Sequence, residues 1–382
     1  MKRIKLKFLF FLVFAFLSAF LIADSAFAAD YGVFTKVAVN VPGSISSVAQ
    51  KVESALNAHN WTVIGRFNTA LPAGDPYNST VIVATNAVYD KYMADNGNYP
   101  LGAFGLPLRV AVYTTPNQGV VVSMVNLPAL ARTFSGNSYA GYAVEVSNYL
   151  KSAIREAVGG TPSNSQYGPM RTGRFPGGIG GGSFPGSVDQ IANYSGSADS
   201  NLLGVANLVL QGIKHNNGGW HLVYNIEKPS IGFIEIGVTR SSTERHSIEI
   251  DSGSRATSSD KFPGIDHSPS YPVEILIYRD GNYTDVSILG EMWRMKYYFA
   301  DAGMMAFMSH MGMPGSIQGS LKQMILYGLA YEGKNITTPS AVYFTEKCTA
   351  ASPPFKEGSY LNSDALFPKL PIETVKIALK LN

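Results

Sequence analysis

Apolar and polar residues alternate along Thr35–Val41, where Val37, Val39 and Val41 share one side, so the chain opens on a half-buried strand. Pro42-Gly43 ends it, and Ser44 or Ser46 caps a helix in which Val48, Val52, Ala55 and Leu56 line one face of a 3.6-residue period. His59-Asn60 closes that helix. Trp61–Ile64, Thr80–Ala84 and Leu108–Tyr113 read as strands, and Gly119–Val125 returns from a hairpin turned at Pro116-Asn117. A last helix over Tyr142–Val158 places Val146, Leu150, Ile154 and Val158 at fourfold spacing.

The chain then repeats itself. His59-Asn60-Trp61-Thr62-Val63 has its counterpart in His215–Val223, which contains Trp220, and Leu106–Tyr113 has its counterpart in Tyr271–Tyr278. Asp199 or Ser200 caps a helix carrying Leu202, Leu203, Ala206, Val209, Leu210 and Ile213. Trp220–Asn225, Phe233–Val238 and Ser247–Asp251 follow as extended segments, then a hairpin of Val273–Tyr278 and Thr284–Leu289. The expected fold class is α+β, with two tandem similar domains, each a mainly antiparallel sheet packed by helices. The first spans 33–158 and the second, diverged copy 199–330. The Gly/Pro/Ser-rich segment 159–197 reads as a linker, too poor in apolar residues to offset its ordering entropy. Its glycines match no phosphate-binding pattern. The C-terminal extension, 331–382, reads as a strap on the second domain.

The first copy resembles the domain-of-unknown-function 302 family. The likeness rests on the Val48–Trp61 helix and turn, on Ala103–Tyr113 with its Leu106-Pro107-Leu108, and on Val121–Pro128. Family members usually carry Asn-Asp-Pro after the hairpin, whereas this chain has Asn126-Leu127-Pro128. In the second copy Gly290-Glu291-Met292 stands at that place. The resemblance implies small α+β domains that pair in dimers; it implies no assigned activity.

The N-terminus changes the picture of charge and compartment. Lys2, Arg3, Lys5 and Lys7 precede the apolar run Phe8–Ala23, and Ala26-Phe27-Ala28 is a small-x-small cleavage site, so residues 1–28 read as a secretory signal peptide. A run of 16 residues is short for a membrane span of about 20. The expected location is the periplasm or the cell exterior. This leader holds four of the 30 basic and one of the 27 acidic residues, so the remaining chain carries 26 of each. A formally neutral chain has no global field for nucleic acid. The one cysteine, Cys348, excludes an internal disulfide, so stability rests on burial.

Two constellations hold candidate chemistry. Seven of the 12 methionines fall between Met292 and Met313. Thioethers are soft ligands for Cu(I), and the candidate set is Met304, Met308, His310, Met311 and Met313, on a helix expected to end near Gly312 and Pro314. A haem role is the related alternative. Methionine is equally a filler of cores and interfaces, and Trp293, Phe299 and Phe307 nearby favour packing. The other constellation is His246, Glu249, Asp251, Asp260, Asp266 and His267, read as a solvated loop in which His246, Asp266 and His267 stay apart.

Neither copy shows a G-x-S-x-G elbow or an H-E-x-x-H pair, and His59 and His215 sit where a histidine closes a helix. The expectation is an exported, non-enzymatic tandem-domain binding or structural protein without a cofactor. Its partner would be an unidentified protein or small ligand, and its copies would pair within the chain or as a homodimer. Periplasmic copper binding is the alternative.

Overall fold

The computed structural model describes residues 31–94, 100–171, 188–216, 218–290, 312–331 and 342–343. Residues 1–30, most of the methionine-rich segment and nearly all of 331–382 lie outside these residues.

Successive residues are buried along Val81–Ala84 and again along Leu108–Tyr113. Neighbouring side chains on a strand point to opposite faces, so the sheet holding these segments is covered on both sides. That sheet comprises β1 (Tyr31–Val39), β2 (Thr62–Asn68), β3 (Ser79–Thr85), β4 (Leu108–Thr115), β5 (Gly119–Val125) and β6 (Thr161–Pro162). Its order is β2-β3-β4-β5-β1-β6, with β7 (Gln166–Arg171) also on β1. A second sheet comprises β8 (Val188–Ser195), β9 (Trp220–Lys228), β10 (Phe233–Arg240), β11 (Val273–Asp280), β12 (Tyr283–Leu289) and β13 (Val342–Tyr343), in the order β9-β10-β11-β12-β8-β13. Taken strand for strand, the two orders coincide. All pairings are antiparallel, and the fold class is α+β with two similar halves.

Helices α1 (Ile45–Ala58), α3 (Leu127–Phe134) and α4 (Ala140–Val158) pack on the first sheet and on one another; α5 (Asp199–His215) and α7 (Gly312–Tyr331) do so on the second. In α1 the Ser44 hydroxyl caps the helix by accepting from the Ser47 amide at 3.2 Å. Val48, Val52 and Leu56 are fully buried, a stripe whose removal from water stabilises by roughly 1.5–3 kcal/mol per side chain. The helix ends at His59, and Asn60 turns the chain with φ of 61°, a left-handed conformation that asparagine tolerates better than most residues.

The uncovered faces of the two sheets meet. β2 lies against β9 so closely that a Cβ on Gly65 would stand 2.7 Å from the Val223 carbonyl oxygen. The 3-10 turn Leu101–Gly105 of the first half rests on β10 and β11, and the turn Pro263–Ser270 of the second rests on β3, β4 and β5. The exchange is reciprocal, and the buried apolar residues of both halves form one continuous cluster.

Three expectations are corrected. The segment 159–197 contributes β6, β7 and β8, because each finds an open sheet edge to pair with. Ser247–Asp251 lies in helix α6 (Ser241–Ser252) and not in a strand. Helix α5 is preceded by Ala198, which makes no side-chain cap, so Asp199 and Ser200 lie inside it. Gly312 begins α7, where Pro314 fits because first-turn amides have no intrahelical partner to lose; the methionine helix expected to end near Gly312 and Pro314 lies outside the described residues.

Candidate functional site

The register of the second sheet sets Glu235 and Gly237 on β10 and Glu274 and Leu276 on β11 toward the first sheet, since Glu235 pairs with Leu276 and Gly237 with Glu274. Tyr224 on β9 opposes Gly237, and its hydroxyl donates to Glu235 at 2.8 Å. From the other side Arg109 on β4 forms an ion pair with Glu274, both side chains fully buried. Arg109 and Glu274 are each the second residue of their strands, and their cross-strand partners, Val83 and Gly237, are each the fifth of theirs. Burial first, and then the Glu274 charge, push the Glu235 carboxyl well above the usual carboxylate range. Tyr224 is likewise raised by burial.

A second buried group lies where Pro263–Ser270 meets the first sheet. His267 places Nδ1 3.2 Å from Asp251 and Nε2 3.7 Å from Asp266. Arg255 grips both oxygens of Asp266. The Phe34 ring lies 4.9 Å from the imidazole, and the Tyr167 hydroxyl donates to the Asp266 carbonyl oxygen at 2.6 Å while sharing a contact with Ser123. The expectation that His246, Asp266 and His267 stand apart in water is therefore corrected. Asp266 and His267 converge, His246 bonds Glu249 at 3.0 Å instead, and all three are at most 9% exposed. Asp260 receives the Tyr77 hydroxyl of the first half at 3.1 Å. Its contacts with Phe34, Tyr167 and Tyr77 make this group part of the junction between the two halves.

The described residues also line two surface hollows. One, of about 540 Å³, lies at the start of α1, but its polar groups satisfy each other: Thr69 donates to Ser79, Thr80 to Asn68 and Arg66 to Glu53. The other, of about 350 Å³, is walled by the end of α1, the start of α2 (Ala87–Ala94) and α4. Trp61 and Tyr89 are its buried floor, with ring centroids 5.7 Å apart. Tyr142 lies 6.3 Å beyond Tyr89 in a stacked arrangement. Glu145 and Tyr149 stand at the rim, and the Tyr149 hydroxyl bonds His59 Nδ1. This is the candidate binding site. His59 closes α1 as read from the sequence, but its ring partner lies 90 residues away, beyond the reach of any local signal.

Residues 37–157 match the family model of the Domain of unknown function DUF302. The aromatic cleft belongs wholly to this DUF302 segment. The chain is also similar to a solved structure, the uncharacterized conserved protein DUF302 from Bacillus stearothermophilus, at 12% identity. That likeness covers 33% of this chain and 98% of that one, with a TM-score of 0.28. Comparison with curated proteins gives no match. Within the DUF302 segment, Asn126 donates to the Gly32 carbonyl at 2.8 Å and to Gln166 at 3.0 Å, while Leu127, at the place usually held by aspartate, is fully buried. This position therefore offers packing and no carboxylate.

The methionine set is largely untouched by these observations. Met304, Met308, His310 and Met311 lie outside the described residues, and Met313 is placed only as part of the first turn of α7. Among the described residues no three His, Cys, Asp or Glu side chains group as a metal site, and no helix is long and apolar enough to cross a membrane.

Proposed function

We propose that the protein is an exported, non-enzymatic binding module in which two copies of a DUF302-type domain pair within one chain. The signal-like leader supports export. The observation that carries the pairing is the buried contact between Arg109 and Glu274, which hold the same place in matching strands. When two like domains meet around a two-fold relation, a residue on the axis meets its own counterpart. Here the counterparts have opposite charge, so the pair attracts where two identical residues would repel. Divergence of the second copy has thus made the contact specific to the two halves of one chain. The sheet faces that separate domains would use to dimerise are spent internally, leaving the outer cleft of the first half as the binding surface.

The test is the oligomeric state. Sedimentation equilibrium over a hundredfold range of concentration should return a monomer throughout. A concentration-dependent dimer would show that a pairing face is still free and would overturn the reading.

A further inference from the structure

The two halves differ most informatively at the cleft. In the first half, Asn86 is the residue just before α2, and its side-chain oxygen accepts from the amides of Val88 and Tyr89. Arg240 is the residue just before α6 in the second half, and Trp220, at the start of β9, corresponds to Trp61 ahead of β2. The Arg240 guanidinium lies 5.9 Å over the Trp220 ring and donates to Ser320 on α7 at 2.7 Å. The Trp220 indole N–H donates to the same hydroxyl at 3.0 Å. Arg240 is 3% exposed. The second half therefore fills this place with its own cation, whereas the first half has the uncharged Asn86 there, with Tyr89 closed over Trp61 and the cleft opening beside them.

The open cleft has the electrostatics to take such a cation from outside. Above the buried floor of Trp61 and Tyr89, the half-buried Tyr142 and the exposed Tyr149 offer aromatic surface whose quadrupole attracts a cation. Glu145 at the rim adds a full negative charge, and among the described residues no Lys or Arg lines the space. We infer that the cleft of the first half binds an alkylguanidinium cation, held between Glu145 and the Tyr142 and Tyr149 rings beside the place that Arg240 takes over Trp220 in the second half. The source is either a free guanidino compound or an arginine side chain of a peptide. This deepens the binding reading above, and its outcome is separable from the monomer test, which concerns the opposite face of the sheet.

Butylguanidinium and butylurea have nearly the same shape and differ in charge. Titration calorimetry on the purified protein should give a Kd at least about tenfold lower for the cation, the equivalent of about 1.4 kcal/mol. Glu145→Gln, an exposed change, should weaken the cation severalfold and leave butylurea unaltered. Asn86→Arg, which supplies the first half with the internal guanidinium of the second, should abolish binding. Gly-Arg-Gly binding more tightly than butylguanidinium, with Gly-citrulline-Gly inert, would assign the source to peptides; tighter binding of butylguanidinium would assign it to the free compound. Equal affinity for butylguanidinium and butylurea, no binding of either, or cation binding unchanged in Glu145→Gln overturns the inference.

Discussion

Asp90 on α2 and Glu244 on α6 hold the same place in the two halves, each accepting from a threonine five residues earlier, Thr85 and Thr239. Each also reaches across to the far end of the second strand of the other half. Glu244 accepts from the Ala70 amide, and Asp90 stands 3.9 Å from the Lys228 ammonium. A buried carboxylate thus closes the junction at either end, with Arg109 and Glu274 between.

These two acids make the junction pH-dependent. Burial raises Asp90 from near 3.8 to about 6, against the opposing pull of Thr85 and Lys228, and it raises Glu244 in the same direction. A carboxyl raised in the folded state contributes stability that is fully present below its unfolded pKa, near 4, and is lost as pH rises through the folded value. Asp90→Asn should therefore raise stability at pH 8 by about 1–3 kcal/mol and give no such gain at pH 4. Urea unfolding at the two pH values reads this directly. An equal effect at both would show that Asp90 carries no shifted titration.

The central ion pair makes a different prediction, because both of its side chains are fully buried. Arg109→Met takes its ion-pair partner from the enclosed Glu274 and should cost about 3–5 kcal/mol, as should Glu274→Met. The double variant removes both desolvation penalties together and should recover most of the loss, with a coupling energy of about 2 kcal/mol or more. Chemical denaturation of the four proteins closes the cycle. Additive losses would mean that the two side chains do not depend on each other.

The strands and hairpins were legible because their cores are built from neighbours in sequence: Val37, Val110 and Val122 declare a buried sheet wherever they alternate or run together. The segment Ser247–Asp251 was misread because Ile248 and Ile250 alternate with polar residues, which in five positions mimics a strand. Helix α6 is buried on several sides at once, with Thr243, Glu244, His246, Ser247, Ile248 and Asp251 all enclosed, so it lacks the one-sided stripe that betrays a surface helix. β8 was hidden by the glycines before it, although Ile191, Ala192 and Tyr194 are buried. The aromatic cleft could not be read at all. Trp61, Tyr89 and Tyr142 come from separate elements, and only the packing of α1, α2 and α4 brings their rings together.

The last prediction concerns the outer layer of the second half, where α5 and α7 cross. A Cβ on Gly212 would stand 2.5 Å from the Met324 carbonyl oxygen, and one on Gly328 would stand 2.3 Å from that of Leu208. Both obstacles are helix backbone, which cannot swing aside as a side chain does, so the two helices approach through a pair of facing glycines. In a helix interior, alanine ordinarily stabilises relative to glycine by roughly 0.5–1 kcal/mol. Here the sign should reverse. Gly212→Ala and Gly328→Ala should each destabilise by about 1–3 kcal/mol through overpacking, and the pair together should cost less than the sum, because the first change already forces the helices apart. Gly204, on the same helix with open space around its Cβ position, supplies the control: Gly204→Ala should raise the thermal midpoint. If all three alanines stabilise alike, the close crossing of α5 and α7 is not how the protein packs.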